Sequence, residues 1–411
     1  MSRSGQRTTI ALIVPDLAGG GGVPAVARFL KDTIRETGLY ELKLISLATS
    51  SGDATHSRIT RPSSWWRGPV STPQTWEGLP VDHVGAVAGE IEFQRYNPRK
   101  VLARLLADCD ILQVVCGSPA WACAVCDLGK PVSLQCATRA VVERRRQHSK
   151  QGGLKEWWRR RMTRFTDKLD DRALKSVAAI QVENPWMLEY ARKINSGRQV
   201  DLRYAPPGID AGKFRPNGDR SAGRGAPILC VGRLDDTRKN VGLLLEAFAR
   251  MSPEDRQGLK LVLAGQAGPP DSFWEQATAL GVRDRIEFVN RPSEEALIAL
   301  YQQAGLFVLP SDEEGLGVVI LESMACGVPV VSTLSGGPDG IITDGADGFL
   351  VPRNDAGALA ERITQLRGDA VLNRAMGLRA RQTIEARYAS EVAGRPFLEV
   401  WDLLARKAGG R

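Results

Sequence analysis

Short β-branched apolar runs alternate along the chain with stretches whose apolar residues recur every three to four positions. That rhythm predicts βαβ units and parallel sheets. In the first half the predicted strands are Thr9–Pro15, Leu42–Leu47, Ile111–Val115, Pro131–Ala137 and Ala178–Val182. In the second half they are Ile228–Val231, Leu261–Ala264, Arg285–Val289, Leu306–Pro310 and Pro329–Thr333, apolar on both faces as strands covered by helices should be. Between the two series lie Ala205-Pro-Pro-Gly-Ile-Asp and Asn217-Gly-Asp-Arg-Ser-Ala-Gly-Arg-Gly, rich in turn formers, which mark a domain boundary. The predicted division is a first Rossmann-like domain over 1–205, a second over 206–390, and a terminal amphipathic helix in 391–411 built on Phe397, Val400, Trp401 and Leu404.

Two segments break the rhythm. Thr49–Trp76 is rich in Ser, Thr, Pro and Arg, carries Trp65 and Trp66, and reads as one long loop, either a lid over an acceptor or a surface insertion. Arg144–Arg172 is strongly basic and contains Trp157 and Trp158. Leu154, Trp158, Met162, Phe165 and Leu169 would form one face of a helix there, lying on an anionic membrane surface or packed on the first domain with its arginines solvated.

Composition narrows the classes. A chain of 411 residues, 43% apolar and 25% charged, suits two globular domains, and no run approaches the ~20 apolar residues that span a bilayer. The short apolar run after the basic start reads as a first strand and not as a signal peptide, so a cytoplasmic protein, in places peripheral to the inner membrane face, is expected. Seven cysteines, an odd number in mostly apolar surroundings, fit reduced thiols better than a disulfide framework. Cys123 and Cys126 form a C-x-x-C pair, but no second pair completes a zinc site, and no metal or cofactor is expected. A net charge of +8 calls for an anionic partner without choosing which.

The chemistry concentrates at Pro310-Ser-Asp-Glu-Glu-Gly-Leu-Gly-Val-Val-Ile-Leu-Glu, where a buried strand passes through a Gly-containing loop into a helix. Such a loop presents bare backbone N–H groups at a helix N-terminus, where the dipole favours phosphate, and Gly315 and Gly317 let an anion come close. Glu314 in the loop and Glu322 in the helix would reach different parts of one ligand, a sugar ring and a ribose. Cys230-Val-Gly-Arg-Leu-Asp-Asp-Thr-Arg-Lys-Asn repeats the strand-to-helix passage, with Arg233 at the strand end and Lys239 six residues on. Ligands in open α/β sheets bind at the carboxyl ends of strands, so both cations would face the same crevice as Glu314 and neutralise a diphosphate leaving group. Asp235, Asp236, Asp312 and Glu313 read more simply as loop acids than as metal ligands.

These residues resemble those of a family 4 glycosyltransferase of the GT-B fold, strongly from about Ala205 to Pro352 and weakly in the first half. The resemblance implies two Rossmann-like domains facing across a cleft, a terminal helix crossing back to the first domain, and retaining, metal-independent transfer of a hexose from a UDP- or GDP-sugar. The acceptor implied is a glycan or lipid-linked hydroxyl in cell-surface or exopolysaccharide assembly. Glu314 and Glu322 match the family's E-x7-E element, which assigns Glu314 to the donor sugar, Glu322 to the ribose, and the backbone of Gly317, Val318 and Val319 to sugar and phosphate. Arg233 and Lys239 match the diphosphate-binding pair. Gly265 ends the matching second strand, Pro207-Gly-Ile-Asp matches the hinge, and Asn290 and Arg291 fall where the nucleobase meets the backbone. Gly19 to Gly22, with Gly21 and Gly22 opening a helix, is similar to the loop that approaches the donor phosphate from the acceptor side.

One feature departs from the pattern. Family members often carry a histidine at a first-domain strand end, where this chain offers Gln135, Cys136 and Thr138, and its only histidines are His56, His83 and His148. A retaining transfer survives that loss if the leaving phosphate takes the acceptor proton. Two alternatives follow, a catalytically silent sugar-nucleotide-binding partner and, from charge alone, a nucleic-acid-binding protein; no nucleic-acid partner is expected.

Overall fold

The computed structural model describes residues 7–19, 21–144, 153–218 and 225–409, with side chains at 154–156, 408 and 409 left aside. It comprises two compact units, one made of 1–207 with 394–411 and one of 208–393. Part of the turn-rich segment Asn217–Gly225, part of the basic stretch, and Gly20 of the glycine run lie outside the described residues.

The first unit holds eight strands: β1 Thr8–Pro15, β2 Tyr40–Leu47, β3 Ser71–Trp76, β4 Leu79–Val84, β5 Ile111–Cys116, β6 Val132–Cys136, β7 Ala179–Val182 and β8 Asp201–Tyr204. Their order is β3-β4-β2-β1-β5-β6-β7-β8, and all pairs are parallel except the β3–β4 hairpin. The central β1 has six consecutive buried residues, as expected of a strand covered on both faces. The helix that follows, Gly22–Thr37, buries Val26, Ala27, Leu30 and Ile34 at helical spacing and stops at Gly38, whose φ of 64° sends its N–H back to the Arg35 carbonyl.

The expectation of one long loop over Thr49–Trp76 is corrected. Ser63–Arg67 is a short helix, and Ser71–Trp76 is strand β3, turned onto β4 by Glu77 and Gly78, both at positive φ. That two-residue turn matches the twist of a hairpin. The strand escaped the periodicity because an edge strand exposed over most of its length carries no apolar run.

The terminal helix Arg395–Gly409 belongs to the first unit. Phe397, Val400, Trp401 and Leu404 are all buried, Phe397 meets Phe29 edge-on at 5.8 Å, and Trp401 Nε1 donates to Gln113 Oε1 at 2.8 Å in the sheet.

The second unit is a six-stranded, wholly parallel sheet in the order β11-β10-β9-β12-β13-β14. Its strands are β9 Ile228–Val231, β10 Leu261–Gly265, β11 Ile286–Asn290, β12 Leu306–Leu309, β13 Val330–Thr333 and β14 Gly348–Val351. Two apolar clusters cover its faces, one around Leu244, Phe248 and Ile363, the other around Tyr301, Phe307 and Ile320. No described helix is long and apolar enough to cross a membrane.

Trp401→Phe should leave the Gln113 oxygen buried without its donor. We expect a loss of about 1–3 kcal/mol in the first unit's unfolding transition, read by urea titration.

Candidate functional site

Because β9 and β12 are hydrogen-bonded neighbours, the loops leaving their carboxyl ends are adjacent. In the first loop Arg233 is half-exposed and 3.4 Å from Asp236, whose other partner is Arg238. Burial would raise the Asp236 carboxyl, but Arg238 and then Arg233 hold it below its ordinary value. Thr237–Lys239 forms a single 3-10 turn that aims Lys239 inward, and Asn240, at φ 44°, starts the helix Val241–Arg250.

In the second loop Glu314 is only 8% exposed. Lys239 Nζ lies 2.6 Å from its Oε1, and Ser311 Oγ donates to the same oxygen at 2.5 Å. The loop is held from outside as well: the Glu314 N–H donates to the Ser335 carbonyl, the Gly337 N–H donates back to the Glu314 carbonyl, and Asn240 Nδ2 donates to Asp312 Oδ1 at 3.0 Å. Gly337 has no room for a side chain, since a Cβ there would lie 2.4 Å from the Leu316 carbonyl oxygen. Lys239 and Glu314, 75 residues apart, therefore form one charged cluster at the strand ends.

Gly317, at φ 89°, begins the helix Val318–Ala325, which no side chain caps, so Val318 and Val319 open that helix with their N–H groups uncovered by a side chain. Glu322 lies one turn further on and accepts from Tyr301 Oη at 2.6 Å. Burial, and then the Glu322 carboxylate, push the Tyr301 phenol well above its ordinary range, so it remains a donor. Gly265 closes β10 where a Cβ would meet the Gly232 carbonyl oxygen at 1.9 Å, so the two strand ends touch through backbone. Arg291, at φ 47°, turns out of β11 and donates its N–H to the Gly265 carbonyl at 2.8 Å.

In the first unit Gly21, at φ 112°, opens the uncapped helix Gly22–Thr37, and a Cβ at Gly21 or Gly22 would meet nothing within 4 Å. Gln135 and Cys136 at the end of β6 are wholly buried and Thr138 nearly so. Gln135 Nε2 donates to Glu183 Oε1 and to the Ala205 carbonyl, each at 3.2 Å. Glu183, just past β7, gave no signal in the sequence because a lone Glu after a strand is normally solvated. Burial pushes its carboxyl up to about 7, against the Gln135 bond that favours the ionised form. Ser311 lay inside the quoted motif without drawing notice, and the Ser335-Gly-Gly-Pro turn after β13 was the available sign of the second loop that brackets Glu314.

The expected apolar stripe on the basic helix packs only in part: Leu169 lies against the first unit's core and Phe165 meets Phe93 edge-on at 5.2 Å, while Trp158 stays exposed. Over Leu154–Ser176 the buried positions are Thr163, Thr166, Asp170, Ala173 and Leu174, whereas Trp157, Trp158 and Phe165 are 55%, 53% and 42% exposed. The Leu154 side chain lies outside the described residues. Asp170 sets this registration by accepting from Ser118 Oγ and from the Ala120 and Ala140 N–H groups. All seven cysteines are free, and burial pushes the Cys123 and Cys126 thiols up to about 11 and 12. No group of three or more His, Cys, Asp or Glu is arranged to hold a metal among the described residues.

Residues 219–383 match the family model described as Glycosyl transferases group 1. A D-inositol 3-phosphate glycosyltransferase of Nocardia farcinica is 34% identical over 188 residues, 43% of this chain and 42% of that protein. A GDP-mannose-dependent alpha-(1-6)-phosphatidylinositol monomannoside mannosyltransferase of Mycolicibacterium smegmatis is 31% identical over 226 residues, 48% of this chain and 58% of the relative. The matches thus span about half the length of these relatives. In fold the chain is similar to sucrose-phosphate synthase from Thermosynechococcus elongatus, with a TM-score of 0.73 at 20% identity over 97% of this chain and 99% of that one. It is also similar to Anabaena HepE in complex with UDP, with a TM-score of 0.69 at 14% identity over 95% and 99%.

Glu183→Gln isolates the buried carboxyl. A folded-state value raised from 4.5 to about 7 gives stability that is fully present below 4.5 and lost as pH rises through about 7. The variant should match the natural protein near pH 4.5 and exceed it by on the order of 3 kcal/mol at pH 8, read from unfolding midpoints across that range.

Proposed function

We propose, from the premise that the chain is a glycosyltransferase family 4-like protein of the GT-B fold, that it transfers a hexose from a UDP- or GDP-sugar to an acceptor hydroxyl with retention at the anomeric carbon. The observation that carries this reading is the Lys239–Glu314 pair beside the uncapped helix that Gly317 opens. Donor diphosphate would take Lys239 and Arg233 as counter-ions and the Val318 and Val319 N–H groups as donors, freeing Glu314 to accept from the sugar hydroxyls. The bond between anomeric carbon and phosphate oxygen breaks, that oxygen accepts the proton of the acceptor hydroxyl, and the hydroxyl oxygen bonds to the anomeric carbon on the same face. Positive charge from Arg233, Lys239 and the helix amides stabilises the departing diphosphate, and no metal is assigned a part. Glu322 would hold the ribose hydroxyls, and Gly265 and Arg291 would border the rest of the donor. The names of the relatives favour a phosphoinositol-type acceptor over the exopolysaccharide expected from the sequence, and GDP-mannose among donors.

The test is nucleotide release from a panel of UDP-, GDP- and ADP-sugars in EDTA. One donor should be turned over, with Lys239→Ala and Glu314→Ala each lowering kcat/KM by about 100-fold or more. Binding without turnover on any acceptor would favour the silent-partner reading, and absence of binding would defeat both.

A membrane-facing acceptor is the second reading, carried by the exposed Trp157 and Trp158 beside Arg159, Arg161 and Arg164, all exposed on one helix. Co-sedimentation should occur with phosphatidylcholine vesicles only when they contain phosphatidylglycerol. It should fall with added salt and be lost in the Trp157→Ala, Trp158→Ala double variant.

A further inference from the structure

The two carboxylate oxygens of Glu314 are held unequally. Lys239 Nζ at 2.6 Å and Ser311 Oγ at 2.5 Å both meet Oε1, and no donor among the described residues meets Oε2. The side chain is 8% exposed, and Oε2 is the oxygen it leaves open to a ligand hydroxyl. A carboxylate fixed through one oxygen presents the other in a set direction, so whatever holds Oε1 decides where Oε2 points.

The two groups on Oε1 differ in how firmly they are placed. Lys239 carries its ammonium on a flexible four-carbon stem, its side chain is 19% exposed, and its charge is the one an incoming diphosphate competes for. Ser311 is wholly buried and stands two residues past the end of β12. Its carbonyl accepts from Thr333 Oγ1 on the neighbouring β13, and Ser332 Oγ donates to the Leu309 carbonyl at 3.2 Å, so the chain is gripped on the approach to Ser311. On the far side the Asp312 N–H donates to the Arg238 carbonyl at 2.8 Å. A short side chain with a single χ angle, on a backbone tied at both sides, keeps its hydroxyl where it is.

We propose that Ser311 is a positioning residue for Glu314: it holds Oε1 while Lys239 turns to the donor diphosphate, so that Oε2 keeps its aim on a hydroxyl of the donor sugar. This deepens the transferase reading and rests on it. Ser311 itself touches neither donor nor acceptor and acts only through the carboxylate. Without its hydroxyl, Glu314 is tethered by the same ammonium that the phosphates draw away, and the carboxylate swings with it. The loss falls on the alignment of the sugar for transfer, hence on kcat. The grip on the nucleotide is spared, because the diphosphate is met by Lys239, Arg233 and the helix amides and not by Glu314.

The test uses whichever of the UDP-, GDP- and ADP-sugars the natural full-length chain turns over, together with the matching free UDP, GDP or ADP. It compares the natural protein with Ser311→Ala, Glu314→Ala and the double variant. Ser311→Ala should lower kcat about 10-fold or more while the donor KM stays within about threefold. Its affinity for the free nucleotide, measured by isothermal titration, should equal that of the natural protein, which separates a lost alignment from a lost fold. Placed on top of Glu314→Ala, the same substitution should lower kcat no further, because it has no carboxylate left to act through. Ser311→Cys, which keeps the shape and a weak donor, should recover part of the loss. An unchanged kcat in Ser311→Ala, losses that multiply in the double variant, or a nucleotide affinity that falls along with kcat each overturns the proposal and leaves the transferase reading standing. Absence of turnover by the natural protein on every donor ends both.

Discussion

Lys239 follows β9 and Glu314 follows β12, and the 2.6 Å contact between them exists because the sheet sets those two strands side by side. A parallel sheet sheathed on both faces in Leu, Val, Ile and Phe leaves its polar chemistry to the loops at its ends. The rest of the second unit serves that contact. Gly265 lets the ends of β9 and β10 touch, Ser335 and Gly337 grip the Glu314 backbone from the end of β13, and Asn240 ties the two loops through Asp312. The cation and carboxylate satisfy one another.

The first unit solves a different problem, polar groups inside its sheet. Gln113, Gln135 and Gln181 lie on central strands with no exposed surface, and each reaches a neighbour: Trp401 for the first, Glu183 for the second, Ser133 for the third. Asp170 closes another gap by accepting from three donors in the loops after β5 and β6, and burial still pushes its carboxyl up to about 6. Pairing is not complete among the described residues: Gln135 Oε1, Gln181 Nε2 and all three Arg99 side-chain nitrogens are buried without a hydrogen-bond partner.

The same helix shows both regimes. From Thr163 onward Leu154–Ser176 is anchored by Asp170 and packed on the unit, while its earlier turns carry Trp157 and Trp158 into solvent among arginines. Amphipathic spacing alone could not divide it so, because a single stripe runs from Trp158, which is exposed, to Leu169, which packs on the core.

Ten of the strands were legible from residue pattern, as was the division into two α/β domains, because buried strands need apolar runs. Strands β3, β4, β8 and β14 were not; β3, for one, is an edge strand exposed over most of its length and carries no such run. Nor was the partner of any charge. Glu183 and Arg99 are ordinary charged residues in one dimension, and only packing removes water from one, drawing its carboxyl toward neutrality, and strands the other without an anion. Sequence determined which residue types stand at the strand ends; tertiary structure decided which were desolvated and which met, because solvent exclusion is a property of the packed neighbourhood and not of the chain.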